Sequence, residues 1–390
     1  MDRAAQRRFL LELIGTATAA DWSQVSLDDW AGVDAMAAQH RLQPLLHAMH
    51  GHQPEVPEEI RNAWRAAHRL SAIHALAQQA DLIETCTLLE RAGFAPVALK
   101  GAWLSRHAYP EAAQRPMRDL DLLVPAEQVI PAFHALLENG LRQEAPAEMT
   151  VDEIVRLDKH MPPLTTPRGT RVELHHRLWE LDGRLDHASP SEAFLPHMPS
   201  PTDRDGIRYL SPQDQLAHLI VHAVYSHRLD CGPLVISDIS FLIQKENVDW
   251  ALFWSDAARH GWRNGARLML ELVARYRPET RIDFSADRGP PVPTALIDLA
   301  PDLLLQDLDT RHSAGFAAAA LSGGSASLVA RLMGRRAAHH AAPAHRATGG
   351  LGGALHWAGS RLVRNVRDLA RREVRQQSRQ LAALSTWLDQ

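Results

Sequence analysis

Two aspartates that alternate with apolar residues are the feature of this sequence with the clearest chemical meaning. Asp119 and Asp121 open the segment Asp-Leu-Asp-Leu-Leu-Val, which ends at Val124. In a strand, residues i and i+2 point to the same face, so both carboxylates would project together. Like charges this close repel unless a cation lies between them, and Mg²⁺ prefers carboxylate oxygens. The spacing therefore predicts a divalent-metal site at the start of a buried strand, with Mg²⁺ expected and Mn²⁺ as an alternative.

A third acid, Glu173, lies in a second predicted strand, Thr170–His175, with apolar Val172 and Leu174 on the opposite face. If this strand neighbours the first, Glu173 converges on the same metals as Asp119 and Asp121 and completes a two-metal site. The alternative is a carboxylate that faces solvent. We expect His175 to point towards the site and to contact either a metal ligand or the substrate.

Basic residues near the acids are candidates for phosphate binding. Lys100-Gly101 follows an apolar run and precedes a predicted helix, a turn in which phosphate can approach backbone N–H groups. Lys100 adds a positive charge. Arg115 and Arg118 flank the acids. Transfer of a phosphoryl-type group needs such donors because charge develops on the leaving phosphates. We therefore predict that Lys100 and Gly101 bind the phosphates of a nucleotide, and that Arg115 and Arg118 hold either the triphosphate or the acids themselves.

The predicted secondary structure that positions these residues changes along the chain, from helices to short strands and back to helices. Residues 1–92 have apolar positions at three- and four-residue spacings, which predicts helices. Residues 93–210 contain short apolar runs and one amphipathic helix, and residues 211–300 are helical again. Residues 301–390 form an Ala/Gly/Arg-rich segment that ends in a basic helix. We predict four regions with these bounds and an α+β fold, in which a small mixed-sheet core is flanked by N-terminal and C-terminal helical regions.

These motifs together resemble a known family. Leu-Lys-Gly at 99–101, followed by Arg-Asp-Leu-Asp-Leu-Leu-Val at 118–124, is similar to the uncharacterised nucleotidyltransferase family of the polymerase-beta superfamily. Val-Glu-Leu-His-His at 172–176 is similar to that family's third-acid strand. The resemblance extends over roughly residues 60–275. It is carried by the combination of motifs, because each motif alone is common.

The resemblance implies Mg²⁺ bound by Asp119 and Asp121, with Glu173 as a third ligand or base. It also implies a nucleotide-phosphate contact near Lys100 and Gly101. The expected function is metal-dependent transfer of a nucleoside monophosphate from an NTP, such as ATP, to a hydroxyl of an acceptor. Related proteins modify RNA ends, proteins, antibiotics or sugars, so the class of acceptor stays open.

Two other functions compete with this expectation. The superfamily usually has Gly-Ser, in which the serine contacts phosphate, whereas this chain has Gly101-Ala102. That departure motivates a catalytically degenerate nucleotide-binding or interaction module. A metal-dependent hydrolase is the second alternative, because His218 and His222 have a helical spacing that can chelate zinc and Asp238 could join them. His222 and Asp238 are also candidates to contact the substrate of a transferase.

Composition sets the broad class of protein. The 390 residues are 45% hydrophobic and 23% charged, which fits a globular chain of two or three domains. The net charge of −4 does not favour general binding of nucleic acid. No apolar run approaches the ~20 residues of a membrane span, and the N-terminal apolar stretch is short and interrupted by Glu12. We therefore expect a cytoplasmic enzyme, with Cys86 and Cys231 as buried reduced thiols.

The C-terminal segment has its own pattern. Residues 311–356 contain few large apolar groups, which predicts partial disorder. Trp357 to Leu388 is predicted to be a helix with seven arginines between Arg361 and Arg379. This helix either packs through its apolar stripe with a solvated basic face, or contacts RNA or an anionic membrane surface.

Overall fold

One six-stranded sheet lies in the middle of the chain, and helices precede and follow it. This is the α+β arrangement that the sequence predicts. The strands are β1 (Val97–Ala98), β2 (Leu120–Leu123), β3 (Arg142–Gln143), β4 (Leu164–Thr165), β5 (Arg171–His175) and β6 (Arg208–Tyr209). The structure is a computed structural model that describes residues 1–16, 22–144, 150–179, 202–306, 311 and 372–389.

The sheet has the strand order β3-β4-β5-β2-β1-β6. Strand β2 runs parallel to β5, and β1 runs parallel to β6. The other three pairs are antiparallel. All four residues of β2 are buried, as expected for a strand that has a neighbour on each side and an almost continuous apolar sequence. The adjacency of β2 and β5 is the condition on which the predicted convergence of Glu173 with the aspartates depends.

Four helices form the N-terminal region, and local signals set the ends of the longest one. It begins at Glu58, directly after Pro57, where acidic side chains favour the positive end of the helix dipole. It ends before Gly93, whose φ of +89° suits a helix terminus. Both ends agree with the sequence prediction. The helices are α1 (Arg3–Ile14), α2 (Leu27–Gln39), α3 (Gln43–His50) and α4 (Glu58–Arg91).

Short helices connect the strands of the sheet. A single helical turn, α5 (Gly101–Trp103), continues as a π-helical turn over Leu104–Ala108, which accounts for the helix predicted before Pro110. Gly169 has a φ of +89° in the turn that joins β4 to its antiparallel neighbour β5. Among the described residues, this region also contains the α-helices α6 (Val129–Glu138) and α7 (Val151–Leu157) and the 3-10 helices Ala112–Gln114 and Ala126–Gln128.

The helices after the sheet also follow the sequence prediction closely. Ser211 caps the first of them by accepting a hydrogen bond from the backbone N–H of Asp214. That helix ends in a π-helical turn over His222–Ser226. Residues 277–293 contain neither helix nor strand, as their proline and glycine content predicts. The helices are α8 (Pro212–Val221), α9 (Leu234–Lys245), α10 (Trp250–Arg259), α11 (Arg263–Tyr276) and α12 (Thr294–Leu304).

The last described helix, α13 (Arg372–Leu388), is amphipathic. It buries Leu384 and Trp387, whereas Arg375 and Arg379 are exposed. This agrees with packing through an apolar stripe. The earlier part of the predicted basic helix, before residue 372, lies outside the described residues, and so does the predicted disorder of 311–356 apart from residue 311.

The structure also bears on the predictions about membrane-spanning helices and about the two cysteines. No helix within the described ranges is both long enough and apolar enough to cross a membrane. Cys86 is buried and free, as predicted. Cys231 is free but exposed, so the expectation that it is buried was wrong. It lies in the turn between the π-helical turn and α9.

Candidate active site

Asp121 is the most tightly held side chain of the site. One of its carboxylate oxygens, Oδ1, accepts a hydrogen bond from His175 Nε2 at 2.8 Å. The other, Oδ2, pairs with Lys100 Nζ at 3.0 Å. Burial disfavours the charged carboxylate, but Lys100 and His175 overcome this and hold the pKa of Asp121 well below its usual value. Asp121 is therefore ionised at neutral pH.

Glu173 lies opposite Asp121, in register on the parallel strand β5. Its Oε1 accepts a hydrogen bond from Arg171 Nη2 at 2.9 Å. Its Oε2 lies 3.7 Å from Nε2 of His175 and 3.6 Å from Nε2 of His160. Burial raises the pKa of Glu173, but the contacts with His175 and His160 lower it to about 2. The structure thus brings together two of the three acids that the sequence predicts for the site, and both are ionised.

A divalent cation fits this group of side chains. Asp121, Glu173 and His175 each offer one ligand atom, and these atoms lie within 4.8 Å of one another. Each carboxylate oxygen has two acceptor lone pairs, so an oxygen that accepts one hydrogen bond can still coordinate a metal. Carboxylate oxygens are the ligands that Mg²⁺ prefers. In its present orientation, His175 donates to Asp121 and so orients a carboxylate, as the sequence analysis expected.

Asp119 lies beside this group without being part of it. It directly precedes β2 and is partly buried. Burial and the negative charges of Asp121 and Glu173 raise its pKa from 3.8 to about 6. This repulsion is what the sequence analysis expected of neighbouring carboxylates, and a cation would relieve it. The structure therefore places all three predicted acids within electrostatic range of one another.

The turn that carries Lys100 is strained. Lys100 has a φ of 43°, a value that side chains other than glycine rarely adopt. Although burial disfavours its ammonium group, Asp121 and Asp119 raise the pKa of Lys100. Such a backbone persists only where surrounding contacts enforce it, and here the ion pair with Asp121 fixes the side chain. Lys100 thus pairs with one of the predicted metal-binding acids, and its predicted contact with a nucleotide phosphate stays a prediction.

Glycine is required at position 101 for a steric reason. A Cβ atom there would overlap Nη1 of Arg115 and lie 3.0 Å from Sδ of Met117. The next residue, Ala102, is buried and offers no hydroxyl. Ser105 does not replace the missing serine in this structure, because its hydroxyl is directed at the Met117 sulphur, 3.7 Å away.

Arg115 forms an ion pair with Asp238 of helix α9. Its Nε and Nη2 donate to the two carboxylate oxygens of Asp238 at 3.1 Å and 2.9 Å. Tyr109 donates a further hydrogen bond to Asp238 Oδ1 at 2.8 Å. Asp238 therefore holds Arg115 against the glycine of the Lys100-Gly101 turn. The predicted contacts of Arg115 with nucleotide and of Asp238 with substrate stay predictions.

Arg118 is exposed beside a second arginine that the sequence analysis missed. Burial and the charge of Arg118 lower the pKa of Arg41, whereas Asp119 raises it. Arg41 lies in the turn between α2 and α3, with a φ of 58°. No local motif marks Arg41, because it reaches Asp119 only through the packing of the N-terminal helices. His160 was missed for the same reason, since it meets Glu173 only through an isolated bridge with His175.

The histidines proposed for a hydrolase are arranged differently from a three-ligand metal site. The rings of His218 and His222 have centroids 6.0 Å apart, while Asp238 is engaged by Arg115 and Tyr109. Within the described part of the chain, the group with metal-ligand spacing is the one at Asp121.

Two parallel strands that present facing acids, beside a lysine–glycine turn, are features expected of a nucleotidyltransferase. The chain belongs to a family of uncharacterised nucleotidyltransferases, whose model matches residues 26–278. The match confirms the resemblance seen in the sequence and extends it towards the N-terminus, so that α2, α3 and Arg41 fall within the family region. Neither the curated proteins nor the solved structures contain a match to this sequence.

Proposed function

We propose that this protein transfers a nucleoside monophosphate from a nucleoside triphosphate to a hydroxyl group of an acceptor, and that the transfer depends on a divalent metal. One observation gives this proposal its main support. Asp121 and Glu173 face each other in register across two parallel strands, and both are ionised. Strands of one sheet lie about 4.8 Å apart, so the two carboxylates are close enough that they would hold a divalent cation together.

The acidic residues of the site would bind the cation, and the basic residues would bind phosphates. Asp121 and Glu173 would hold the cation, with Asp119 joining them once it loses its proton. A bound divalent cation would neutralise phosphate charge and lower the pKa of an attacking hydroxyl. Lys100 would exchange its contact with Asp121 for one with a phosphate oxygen as the cation arrives. Arg118 and Arg41, for which the described residues provide no salt bridge, would bind the outer phosphates or a phosphate of the acceptor.

A catalytically degenerate binding module is the second candidate, and a specific observation favours it. Ala102 occupies the position where the superfamily usually has serine, and the Ser105 hydroxyl faces Met117. Such a module would bind NTP weakly or would bind it without turnover. The two candidates differ in whether pyrophosphate is released.

The test measures binding and turnover separately. Wild-type protein is incubated with each NTP and Mg²⁺, and NTP affinity is measured by calorimetry while pyrophosphate release is followed enzymatically. Transfer to RNA, protein and small-molecule fractions is detected with α-³²P-labelled NTP. We expect Mg²⁺-dependent pyrophosphate release in the wild type and a loss of at least about a hundredfold in Asp121→Asn, a typical effect of removing a group that stabilises developing charge.

Asp298→Asn is the matched control, because Asp298 is an exposed carboxylate on α12 that pairs with Arg275 at 3.2 Å. It should leave both readouts unchanged. If Asp119→Ala/Asp121→Ala protein binds NTP and Mg²⁺ as the wild type does, the catalytic proposal is wrong. If the wild type binds Mg²⁺ and NTP but releases no pyrophosphate with any acceptor fraction, the degenerate module is the better description.

A further inference from the structure

Helix α8 (Pro212–Val221) carries a buried histidine whose polar atoms have no partner among the described residues. His218 is 1% exposed, and both of its ring nitrogens lie buried without a hydrogen bond. Nδ1 of His222, one turn further along, is also buried without a hydrogen bond. Leaving a buried polar group unsatisfied costs about 1–3 kcal/mol, so native structures rarely retain one without a reason.

The topology brings this helix to the candidate active site. Strands β1 and β6 are parallel neighbours, with Val97 paired to Arg208. Strand β1 leads into Lys100, and β6 leads into Ser211, which caps α8. Because parallel neighbours have their carboxyl ends at one edge of a sheet, the Lys100 turn and α8 begin at the same edge. The electrostatics agree, since the charges of Lys100 and Asp121 both act on the His218 ring.

The surroundings of these rings favour a polar ligand without charge. Burial, aided by the positive charge of Lys100, holds the pKa values of His218 and His222 well below 6.5, so both imidazoles are neutral at physiological pH. A neutral imidazole has one donor and one acceptor nitrogen, which matches the donor and acceptor capacity of a hydroxyl group. It offers no positive charge to a phosphate, whereas Lys100, Arg118 and Arg41 do.

A metal is a poorer match for these histidines. Tetrahedral zinc sites need at least three protein ligands. The described residues provide no third ligand atom at that spacing, because the group with metal-ligand geometry lies at Asp121, Glu173 and His175. The next histidine along the chain, His227, lies against His222 with ring centroids 4.3 Å apart and a tilted geometry, and its Nδ1 contacts Asp230 Oδ1 at 2.8 Å.

We propose that His218 and His222 form the acceptor-binding side of the site, and that they hydrogen-bond the uncharged, hydroxyl-bearing end of the acceptor. The class of ligand is therefore a sugar or another polyol group, bound at the edge of the sheet that also carries the Lys100 turn. This inference rests on the proposed function, because it assigns the second substrate of that reaction. It adds two binding residues from the helical region to a site otherwise built on the sheet.

The test uses D-ribose and glycerol as uncharged probes and inorganic phosphate as the charged probe. Ring resonances of His218 and His222 are identified in ¹⁵N-histidine-labelled full-length protein by comparison with the His218→Gln and His222→Gln variants. We expect both rings to show saturable shifts with at least one polyol. In His218→Leu, the response of His222 should weaken about tenfold, the equivalent of one lost hydrogen bond.

Stability and nucleotide binding control for indirect effects. His218→Leu should fold and be at least as stable as the wild type, because it removes an unsatisfied buried polar group. Its NTP affinity should be unchanged. His260→Gln is the matched control, since Nδ1 of His260, the residue directly after α10, is satisfied by the Asp256 carbonyl at 3.0 Å. This variant should leave the shifts of His218 and His222 intact.

Three outcomes decide the proposal. Saturable shifts with a polyol support it if the response of His222 weakens about tenfold in His218→Leu. Ring shifts caused by phosphate but by neither polyol overturn the proposal. The absence of any shift in both rings with every probe also overturns it. Failure of the wild type to bind NTP would overturn the proposed function instead, because the ring shifts are measured without nucleotide.

Discussion

Arg115 donates two hydrogen bonds to Asp238, from Nε at 3.1 Å and from Nη2 at 2.9 Å. The pair joins the segment before β2 to helix α9, and Tyr109 completes it through a hydrogen bond to the same carboxylate. Asp238 is 3% exposed, so the carboxylate is almost fully removed from water. Two parallel charge-assisted hydrogen bonds fix the orientation of a guanidinium group more firmly than a single contact does.

Removal of Asp238 should destabilise the protein strongly. Asp238→Ala leaves the guanidinium of Arg115, which is 15% exposed, without its partner, and this costs up to about 3–5 kcal/mol. The expected result is a matching fall in the free energy of unfolding, measured by chemical denaturation. Replacement of both partners, in Arg115→Met/Asp238→Leu, should cost less than Asp238→Ala alone, because no unpaired charge remains.

A smaller change at the same place provides the control. Tyr109→Phe removes one hydrogen bond to Asp238 and leaves the ion pair, so it should cost about 1 kcal/mol. Equal losses in Asp238→Ala and in the double variant would mean that the pair contributes little beyond packing, and the prediction would then be wrong.

The fold was largely predictable because its elements carry local signals. Pro57 and Gly93 mark the ends of α4, and Ser211 with the proline after it marks the start of α8. The alternation of acids and apolar residues placed Asp121 and Glu173 on the buried strands. Those features depend on residues within a few positions of one another, so the sequence alone is sufficient to recognise them.

The contacts that complete the site were not predictable for the opposite reason. Arg115 meets Asp238 across 123 residues, and no periodicity connects the two. The sequence offered Arg115 as a phosphate ligand because it flanks the acids, and could not reveal the carboxylate that binds it. His160 and Arg41 approach Glu173 and Asp119 only through tertiary packing. A residue type and its neighbours indicate which chemistry is available, whereas partners distant in the chain decide how the residue is used.

Metal affinity should depend on Glu173 and be insensitive to a nearby acid. Both Glu173 and Glu144 pair with Arg171, at 2.9 Å and 3.4 Å, but Glu144 is not part of the group around Asp121. Glu173→Gln should weaken binding of Mn²⁺, used as a probe, by at least about tenfold. Electron paramagnetic resonance of free Mn²⁺ measures this directly.

Glu144→Gln is the matched control and should bind Mn²⁺ as the wild type does. Comparable losses of Mn²⁺ affinity in the two variants would show that the affinity depends on Arg171 or on the total negative charge near the site. Glu173 would then not be a ligand. A normal affinity in Glu173→Gln would contradict the prediction outright.

Two substitutions of Lys100 should abolish the proposed activity alike but differ in protein stability, because the backbone at this position is strained. Lys100→Gly and Lys100→Ala both remove the ammonium group that pairs with Asp121, so both should lose the proposed transfer. Glycine adopts a positive φ without steric penalty, whereas alanine does not. The glycine variant should therefore be more stable than the alanine variant by about 1–3 kcal/mol, measured by chemical denaturation. Equal stabilities would show that position 100 stores no backbone strain.

The last prediction concerns pH and follows from the raised pKa of Asp119. Without metal, burial and the charges of Asp121 and Glu173 raise this pKa from 3.8 to about 6. The folded protein therefore binds the proton more tightly than the unfolded chain does. The resulting stabilisation is fully present below the unfolded pKa of 3.8 and is lost as the pH rises through about 6.

Comparison of wild type with Asp119→Asn isolates this effect from the titration of other groups. The free energy of unfolding of the wild type, relative to Asp119→Asn, should fall by at most about 3 kcal/mol between pH ~4 and pH ~7 when metal is absent. Mg²⁺ should restore the difference above pH ~6, because a cation favours the ionised carboxylate that the proton no longer neutralises. Denaturation curves at several pH values, with and without Mg²⁺, measure both effects. If the difference between the two proteins does not change with pH, Asp119 does not titrate in this range. If it changes but does not respond to Mg²⁺, Asp119 is not a metal ligand, and the site would then depend on Asp121 and Glu173 alone.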